Sequence, residues 1–109
     1  MRRSILQEHD GGCYLCEKQG IYRTYKDLQK HHIYGGPNRH ISEREGFFVW
    51  LCRAHHTGDE EGNHAAVHFN AMNAQILHED CQREYEKTHT REEFVQLIGR
   101  NYLWRDGDQ

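Results

Sequence analysis

The sequence is poor in apolar residues and has no long apolar run. Only 36% of its 109 residues are hydrophobic, and the mean hydropathy is -1.04. No stretch approaches the ~18 consecutive apolar residues of a membrane-spanning helix, which argues against a helical membrane protein. The length favours a single domain near the lower limit for a core held by apolar burial alone. We therefore expect an additional stabilising device, such as a structural metal ion.

An apolar secretion signal is also missing from residues 1–9. We therefore expect a protein of the reducing cytoplasm. There, the four cysteines are better used as zinc ligands than as the two disulfides that a small secreted domain would form. Cys81 lies far from the other three cysteines in a helical stretch, and we expect it to be a free, partly buried thiol.

The net charge is mildly acidic, with 14 Lys and Arg residues against 17 Asp and Glu residues. The acidic excess is confined to the second half of the chain: residues 1–56 hold nine basic and six acidic residues, whereas residues 57–109 hold five and eleven. The half with the paired cysteines is therefore basic, and bound divalent cations would add to its positive field. This distribution suits a nucleic-acid partner, and it also suits ordinary solvated surfaces.

Three short segments of the basic half predict strands. Residues 21–25 alternate apolar and polar side chains, as a half-buried strand does. Residues 30–34 predict a second strand, which ends at the turn-forming residues 35–38. Residues 47–51 are apolar and β-prone and lead directly into Cys52. Neither repeats nor low-complexity linkers interrupt the chain.

The acidic half is predicted to be helical. From about residue 64 to residue 87, apolar residues recur at spacings that suit one helix face: Val67, Met72, Ile76, Leu77, Cys81 and Tyr85. Thr90 and Glu93 have the spacing of a capping box for a second, shorter helix that stops at Gly99. Residues 1–11 are predicted to be a short helix or an arm.

Four candidate zinc ligands occur as two short pairs, Cys13 with Cys16 and Cys52 with His55. Two intervening residues let a tight turn aim both side chains of a pair at one ion. Together the pairs make a Cys3His tetrahedral set, which predicts a structural zinc site. The alternative is a group of unrelated buried cysteines.

Two His-His doublets lie inside or beside this frame: His31 with His32, and His55 with His56. In the first turn of a helix, adjacent side chains point about 100° apart, so both imidazoles of the second doublet cannot readily reach one ion. His56 is therefore available for a second site, with the first doublet as its expected companion. An ideal strand would direct the imidazoles of the first doublet to opposite faces, whereas an irregular backbone would bring both toward one concavity. Purely structural roles for both doublets are the competing interpretation.

The order of these motifs resembles that of the zinc-stapled branch of the HNH, or His-Me finger, endonucleases. The residues that carry the resemblance are Cys13-x2-Cys16, then His31-His32-Ile33 followed by Gly35-Gly36, then Leu51-Cys52-x2-His55-His56. They span residues 13–56, and the likeness is to small stand-alone proteins of this kind from bacteriophages and prophages. It implies an α+β fold, in which a zinc-stabilised treble clef supports a β-hairpin and a helix wrapped around one divalent ion.

The resemblance assigns roles to individual histidines. His32 would be the general base that activates water against a phosphodiester. His31 and His56 would hold the catalytic divalent ion, with His68 as a further ligand. His55 would replace the usual fourth cysteine of the structural zinc site, which is chemically mild because imidazole is also a good zinc ligand.

The residue types suit this chemistry. A base that activates water works best with a pKa near neutrality, which histidine offers without perturbation. A metal ion on the scissile phosphate stabilises the anionic transition state and the departing oxygen. Since Mg2+ prefers oxygen ligands, a pair of neutral imidazoles would accept Mn2+, Ni2+, Co2+ or Zn2+ as well as Mg2+ or better.

The sequence departs from the family pattern at two places. Phe47 stands where relatives commonly carry an Asn that braces the loop of the base, and Asn38 is a candidate replacement. Residues 57–63 form an acidic, glycine-rich insertion before His64 and His68, whose i, i+4 spacing would place them on one helix face. Phosphate contacts are expected from His64 and from the basic residues near the motifs, which are Lys30, Arg39, Arg44 and Arg53.

The sequence therefore predicts a single HNH-like domain over residues 1–109: an N-terminal arm at 1–12, a zinc-stapled ββα core at 13–70 and a helical tail at 71–109. The expected function is metal-dependent hydrolysis of DNA, leaving 3′-hydroxyl and 5′-phosphate ends as the family implies. We expect a phage or prophage protein in the bacterial host cytoplasm. A homodimer, or a phage or host protein partner, would add specificity.

The principal alternative is a non-catalytic zinc-binding adaptor that holds nucleic acid or a phage or host protein through the same frame. Phe47 favours the adaptor, and so does the insertion at residues 57–63, which displaces the next histidines to positions 64 and 68. The intact His31, His32 and His56 favour the enzyme. A sequence-specific transcription factor is a third interpretation, and it is disfavoured because no clear cluster of Arg, Lys, Asn and Gln marks a recognition helix.

Overall fold

The computed structural model describes residues 3–57 and 70–103. In chain order these ranges contain α1 (Tyr14–Lys18), β1 (Gln29–His32), a 3-10 helix (Gly36–Asn38), α2 (Arg39–Glu45), β2 (Phe48–Leu51), α3 (Arg53–His56), α4 (Ala71–Tyr85) and α5 (Arg91–Ile98). The predicted α+β class is confirmed, with a two-stranded antiparallel sheet among the helices. Within the described ranges, none of the helices is long and apolar enough to cross a bilayer.

The two strands are the pair that the sequence predicted on either side of the glycine-rich turn. Their register pairs Gln29 with Leu51, Lys30 with Trp50, His31 with Val49 and His32 with Phe48. Because side chains alternate along a strand, Lys30 and His32 lie on one face of the sheet and His31 lies on the other. The first His-His doublet is therefore held by regular β-structure, which separates its two imidazoles.

The strand predicted at residues 21–25 is absent from the structure. Ile21 and Tyr22 are 43% and 78% exposed, so their alternation with polar residues does not reflect burial on a sheet face. The segment is instead a loop that is tied back by a hydrogen bond from the Tyr25 amide to the Gly11 carbonyl, 2.9 Å long. This bond brings Tyr25 beside the first cysteine pair.

The N-terminal residues 3–12 form an arm, not a helix, and this arm covers the free edge of β2. Ser4 Oγ donates a hydrogen bond to the Phe48 carbonyl, and the Trp50 amide donates to Gln7 Oε1 at 2.7 Å. These bonds use backbone groups that an edge strand would otherwise present to solvent or to another chain. The arm therefore completes the small sheet.

The long helix α4 starts later than the apolar pattern indicated. Its first residue is Ala71, where the Asn70 side chain accepts a hydrogen bond from the Asn73 amide at 3.0 Å. Met72 is 72% exposed, so its assignment to the buried face was wrong, whereas Leu77 and Cys81 have no exposed surface. Cys81 is a free thiol as predicted, but it is fully rather than partly buried. Val67 lies outside the described residues.

Helix α5 has the predicted ends. Thr90 Oγ1 accepts a hydrogen bond from the Glu93 amide at 3.0 Å, and Glu93 Oε1 accepts one from the Thr90 amide at 2.8 Å. Gly99 ends the helix at φ 92°, a left-handed conformation that glycine adopts without strain. The capping box and the glycine stop are both confirmed.

One hydrophobic cluster joins the metal-ligand frame to the C-terminal helices. Its buried members are Cys13, Leu15, Cys16, Ile33, Tyr34, Phe47, Val49, Leu51, Cys52, Leu77, Cys81, Phe94 and Ile98. The helical tail therefore contributes to the same core as the cysteines. It is not a separate appendage.

His78 links α4 to the end of β1, a role that its sequence position did not indicate. Its Nε2 donates a hydrogen bond to the Ile33 carbonyl at 3.1 Å, and its ring stacks on Tyr34 with 5.4 Å between centroids. The Tyr34 hydroxyl in turn donates to the His78 carbonyl at 2.7 Å. Burial lowers the pKa of His78 below its usual value, so the native state disfavours a proton that the unfolded chain accepts.

The lowered pKa of His78 predicts a loss of stability in mild acid. Below the unfolded-state value of about 6.5, the unfolded chain binds more protons than the native protein, so the free energy of unfolding falls with falling pH until the lower folded pKa is passed. Urea unfolding of the zinc-saturated protein across this window measures the slope. A His78→Gln variant should show a shallower slope, because it lacks the buried imidazole. Equal slopes for wild type and His78→Gln would contradict the prediction.

Candidate functional site

The four predicted zinc ligands converge, although they come from distant parts of the chain. Cys13 occupies the N-cap position of α1, and Cys16 lies within that helix. Cys52 occupies the N-cap position of α3, and His55 lies within that helix. One ligand atom from each residue fits within a group no wider than 4.8 Å. Both pairs are therefore aimed at one point by a tight turn into a short helix, as the x2 spacing predicted.

The distances fit a tetrahedral ion. His55 Nδ1 lies 3.5 Å from Cys13 Sγ and 3.4 Å from both other thiol sulfurs, and Cys16 Sγ lies 3.8 Å from Cys52 Sγ. For zinc with bonds of about 2.3 Å to sulfur and about 2.0 Å to nitrogen, the edges of a tetrahedron are about 3.8 Å between sulfurs and about 3.5 Å from sulfur to nitrogen. A Cys3His group that could hold a structural zinc is therefore present.

Burial sets the charge state of this group in the absence of a metal ion. All four residues are between 0% and 6% exposed. Burial raises the pKa of the Cys13 and Cys16 thiols and lowers the pKa of His55, so the protein alone favours uncharged groups. A bound divalent ion would reverse this preference for the thiols, because it stabilises thiolates directly. The ion would then act as the additional stabilising device that the small core requires.

Two further side chains orient the ligands. The Tyr25 hydroxyl lies 3.0 Å from Cys16 Sγ, where it would donate to a thiolate. The second ring nitrogen of His55, Nε2, lies 3.3 Å from the Gln19 side-chain amide. With a metal on Nδ1, Nε2 carries the hydrogen and donates to the Gln19 amide oxygen, which a rotation of the amide brings into place. Sequence reasoning missed both residues because neither belongs to a ligand motif.

Removing the Tyr25 hydroxyl should weaken metal binding without removing a ligand. We expect Tyr25→Phe to bind zinc about tenfold less tightly, as is typical when a hydrogen bond to a metal ligand is lost. Competition with a chromophoric zinc chelator measures this. Tyr22→Phe is the matched control, because Tyr22 is 78% exposed. An unchanged affinity for Tyr25→Phe would show that its hydroxyl does not support the site.

The second doublet divides between two environments. His55 is buried among the cysteines, while His56 Nδ1 lies 2.6 Å from Gln29 Oε1 and its ring centroid is 5.2 Å from that of His31. The one-turn helix α3 accounts for this, because successive side chains on a helix diverge by about 100°. The structure thus brings His31 and His56 together, on the sheet face away from His32.

His31 and His56 supply two candidate ligands, whereas the zinc group supplies four. Over residues 3–57 and 70–103, only the Cys3His group places three or more candidate ligand atoms so close together. The predicted further ligand His68 and the predicted phosphate contact His64 both lie outside the described residues. Two imidazoles alone leave most coordination positions of a divalent ion to water or substrate.

His32 has a separate set of partners on its own sheet face. Its Nε2 lies 2.6 Å from Glu43 Oε1, and its side chain is 14% exposed. Lys30 Nζ approaches the same carboxylate at 3.2 Å and 3.3 Å, and it also lies 4.4 Å above the Phe48 ring. The hydrogen bond from His32, followed by that from Lys30, holds the pKa of Glu43 below its usual value. Sequence reasoning missed Glu43, which no motif or periodicity marks.

The loop that follows His32 is braced by a serine rather than an asparagine. Ser42 Oγ accepts a hydrogen bond from the Tyr34 amide at 3.1 Å and donates one to the Tyr34 carbonyl at 2.8 Å. Phe47 is fully buried in the aromatic core. The proposed substitute, Asn38, instead donates to the Ile98 carbonyl at the end of α5, 2.9 Å away. The brace exists, but it comes from α2.

The predicted phosphate contacts differ in availability. Arg39 and Arg53 are exposed at the starts of α2 and α3, respectively. Arg44 is exposed but pairs with Glu45 at 3.0 Å. Lys30 is already engaged by Glu43. The two helix-start arginines therefore fit a phosphate role better than the other two.

Comparison of the chain with protein-family models, with curated proteins and with solved structures found no match. The likeness to HNH endonucleases consequently rests on the motif order in residues 13–56.

Proposed function

We propose that this protein is a zinc-stabilised, metal-dependent endonuclease of the HNH type that hydrolyses DNA. The observation that carries the proposal is the division of the second doublet: His55 joins the buried cysteines, while His56 lies against His31. In the proposed assignment the Cys3His group is the zinc site of a treble clef. The hairpin of β1 and β2, followed by α3, is then the ββα element that the family uses for catalysis.

His31 and His56 would hold the catalytic ion. When bound, such an ion draws electron density from the scissile phosphate and stabilises the charge on the departing oxygen. A pair of imidazoles selects ions that accept nitrogen ligands, which are Mn2+, Co2+, Ni2+ and Zn2+ in preference to Mg2+. The hydrogen bond between His56 and Gln29 fixes the ring of one ligand in advance.

His32 would be the general base. It is the last residue of β1 and the chain neighbour of His31, so a DNA backbone that crosses the end of this strand would meet both residues. His32 takes a proton from water as the water oxygen bonds to phosphorus. The bond from phosphorus to the 3′-oxygen then breaks, and that oxygen gains a proton from solvent. The products are a 5′-phosphate and a 3′-hydroxyl.

Two exposed arginines would hold the DNA backbone. Arg53 begins α3, three residues before His56, and Arg39 begins α2. Both are exposed, and Arg side chains suit bidentate contacts with phosphate oxygens. Such contacts position DNA without reading its bases, so we propose low sequence specificity for the chain alone.

One observation favours the adaptor as the second candidate. His32 points to the sheet face opposite His31 and is engaged by Glu43, so the two halves of the proposed site do not share one concavity. A non-catalytic protein could use this Glu43 cluster solely to hold α2 on the sheet. The adaptor would keep the zinc group and bind its partner without cutting DNA.

A plasmid-nicking assay separates the two candidates. Zinc-loaded protein is incubated with supercoiled DNA and Mg2+, Mn2+, Co2+, Ni2+ or Zn2+, or with no added metal. We expect metal-dependent nicks that DNA ligase can seal, and we expect His31→Ala to abolish them. His40→Ala is the matched control, because His40 is an exposed histidine of α2. Absence of nicking with every ion would favour the adaptor and overturn the nuclease.

A further inference from the structure

Glu43 and His32 make a short side-chain contact on the sheet face that carries Lys30 and His32. The carboxylate of Glu43 reaches from α2 to His32 at the end of β1, with 2.6 Å between Oε1 and Nε2. The contact joins residues 11 positions apart in the chain, and it depends on the way α2 folds back over the strand. The Ser42 brace on the Tyr34 backbone fixes that fold immediately before Glu43.

The chemistry of this contact determines which nitrogen of His32 carries hydrogen. A carboxylate only accepts hydrogen bonds, so Nε2 must be the donor. In the neutral imidazole, the remaining nitrogen, Nδ1, is then the one with a lone pair. Among the described residues, no hydrogen bond is made to Nδ1 of His32. Glu43 therefore leaves Nδ1 as the nitrogen of a neutral His32 that faces away from the carboxylate.

Lys30 fixes the carboxylate in turn. Its Nζ contacts both oxygens of Glu43 at 3.2 Å and 3.3 Å. The Lys30 ammonium lies over the rings of Phe48 and Trp50, with Nζ 4.4 Å and 5.6 Å from their centroids. The negative face of an aromatic ring attracts an ammonium group, which helps to hold Lys30 Nζ in place. The sheet face thus carries a chain of contacts from the two rings through Lys30 and Glu43 to His32.

We propose that Glu43 is the positioning residue for the general base His32, holding its imidazole by Nε2 and leaving Nδ1 to take the proton from water. This inference rests on the proposed nuclease function. Lys30, in this arrangement, serves the carboxylate rather than a DNA phosphate. An acid that orients a histidine base in this way is a recurring solution in hydrolases, where the carboxylate sets the ring's tautomer and direction.

The test compares Glu43→Gln with Glu45→Gln. Both changes remove one negative charge from α2, but Glu45 pairs with Arg44 and not with a histidine. We expect Glu43→Gln to lower the single-turnover rate constant for plasmid nicking about tenfold to 100-fold, with little change in the DNA concentration for half-maximal rate. Glu45→Gln should cut as the wild type does. Zinc content and the thermal midpoint check that both variants are folded.

A spectroscopic arm reads the contact without relying on activity. Nitrogen-15 correlation spectra of the imidazoles, recorded on zinc-loaded protein without added metal, should show shifted Nε2 and Nδ1 resonances of His32 in Glu43→Gln only. Suppose that the wild type cuts DNA and that Glu43→Gln and Glu45→Gln have equal nicking rates and equal His32 spectra. That result would overturn the positioning role alone. A wild-type protein that cuts no DNA with any ion would overturn the nuclease proposal and the positioning role together.

Discussion

Replacing Cys52 with Ser is expected to remove the bound zinc and most of the cooperative fold. A Ser hydroxyl is a poor zinc ligand, and the Cys3His group lies inside the hydrophobic cluster. Binding of a structural zinc contributes roughly 10–16 kcal/mol to folding in small zinc peptides, which is as large as the total stability of an ordinary domain. Metal analysis by mass spectrometry and thermal unfolding by circular dichroism measure both losses.

Cys81→Ser provides the matched control for that experiment. Cys81 is as buried as the ligand cysteines, but it lies in α4, outside the Cys3His group. Burying a hydroxyl there should cost about 1–3 kcal/mol, since the group loses its hydration, while the zinc content stays at the wild-type level. If Cys52→Ser keeps its zinc and unfolds like Cys81→Ser, the quartet is wrong.

Replacing His32 with Ala is expected to abolish DNA cutting while the protein remains folded. A positioned base contributes about 10²- to 10⁴-fold to the rate of a proton-transfer step, so the nicking rate should fall by that factor. The stability should fall by about 1–3 kcal/mol, since the side chain is only 14% exposed and its hydrogen bond to Glu43 is lost, while Glu43 keeps its pairing with Lys30. Nicking rates and thermal midpoints are the two measurements.

The interpretation of that loss depends on a histidine control. His40→Ala removes an exposed imidazole from α2, and it should cut DNA at the wild-type rate. If His32→Ala and the wild type nick plasmid equally well in the presence of metal, His32 is not the base. A large loss of zinc from His32→Ala would also contradict the account, because His32 lies outside the Cys3His group.

Each pair of zinc ligands was predictable because short spacing fixes it locally. Two ligands separated by two residues are forced together by a single turn, so Cys13 with Cys16 and Cys52 with His55 needed no knowledge of the tertiary fold. The ends of α5 were predictable for the same reason: a capping box and a terminal glycine act within a few residues. Local chemistry determined both features.

Features set by tertiary contacts were not predictable. Residues 21–25 have strand-like alternation, yet they form a loop that is bonded to Gly11 and leaves Ile21 and Tyr22 exposed. Helix α2 was not anticipated, so Glu43 and Ser42 escaped notice. Met72 fits the helical period of α4 but lies at the exposed first turn.

In the proposed assignment, the neighbours His55 and His56 serve different metal sites. Calorimetric titration of zinc-loaded protein with Ni2+ separates the two sites, because Ni2+ favours imidazole ligands. We expect a second ion to bind to the wild type and not to His56→Ala, with the zinc content equal in both proteins. Loss of zinc from His56→Ala, or a wild-type protein that binds no second ion, would contradict it.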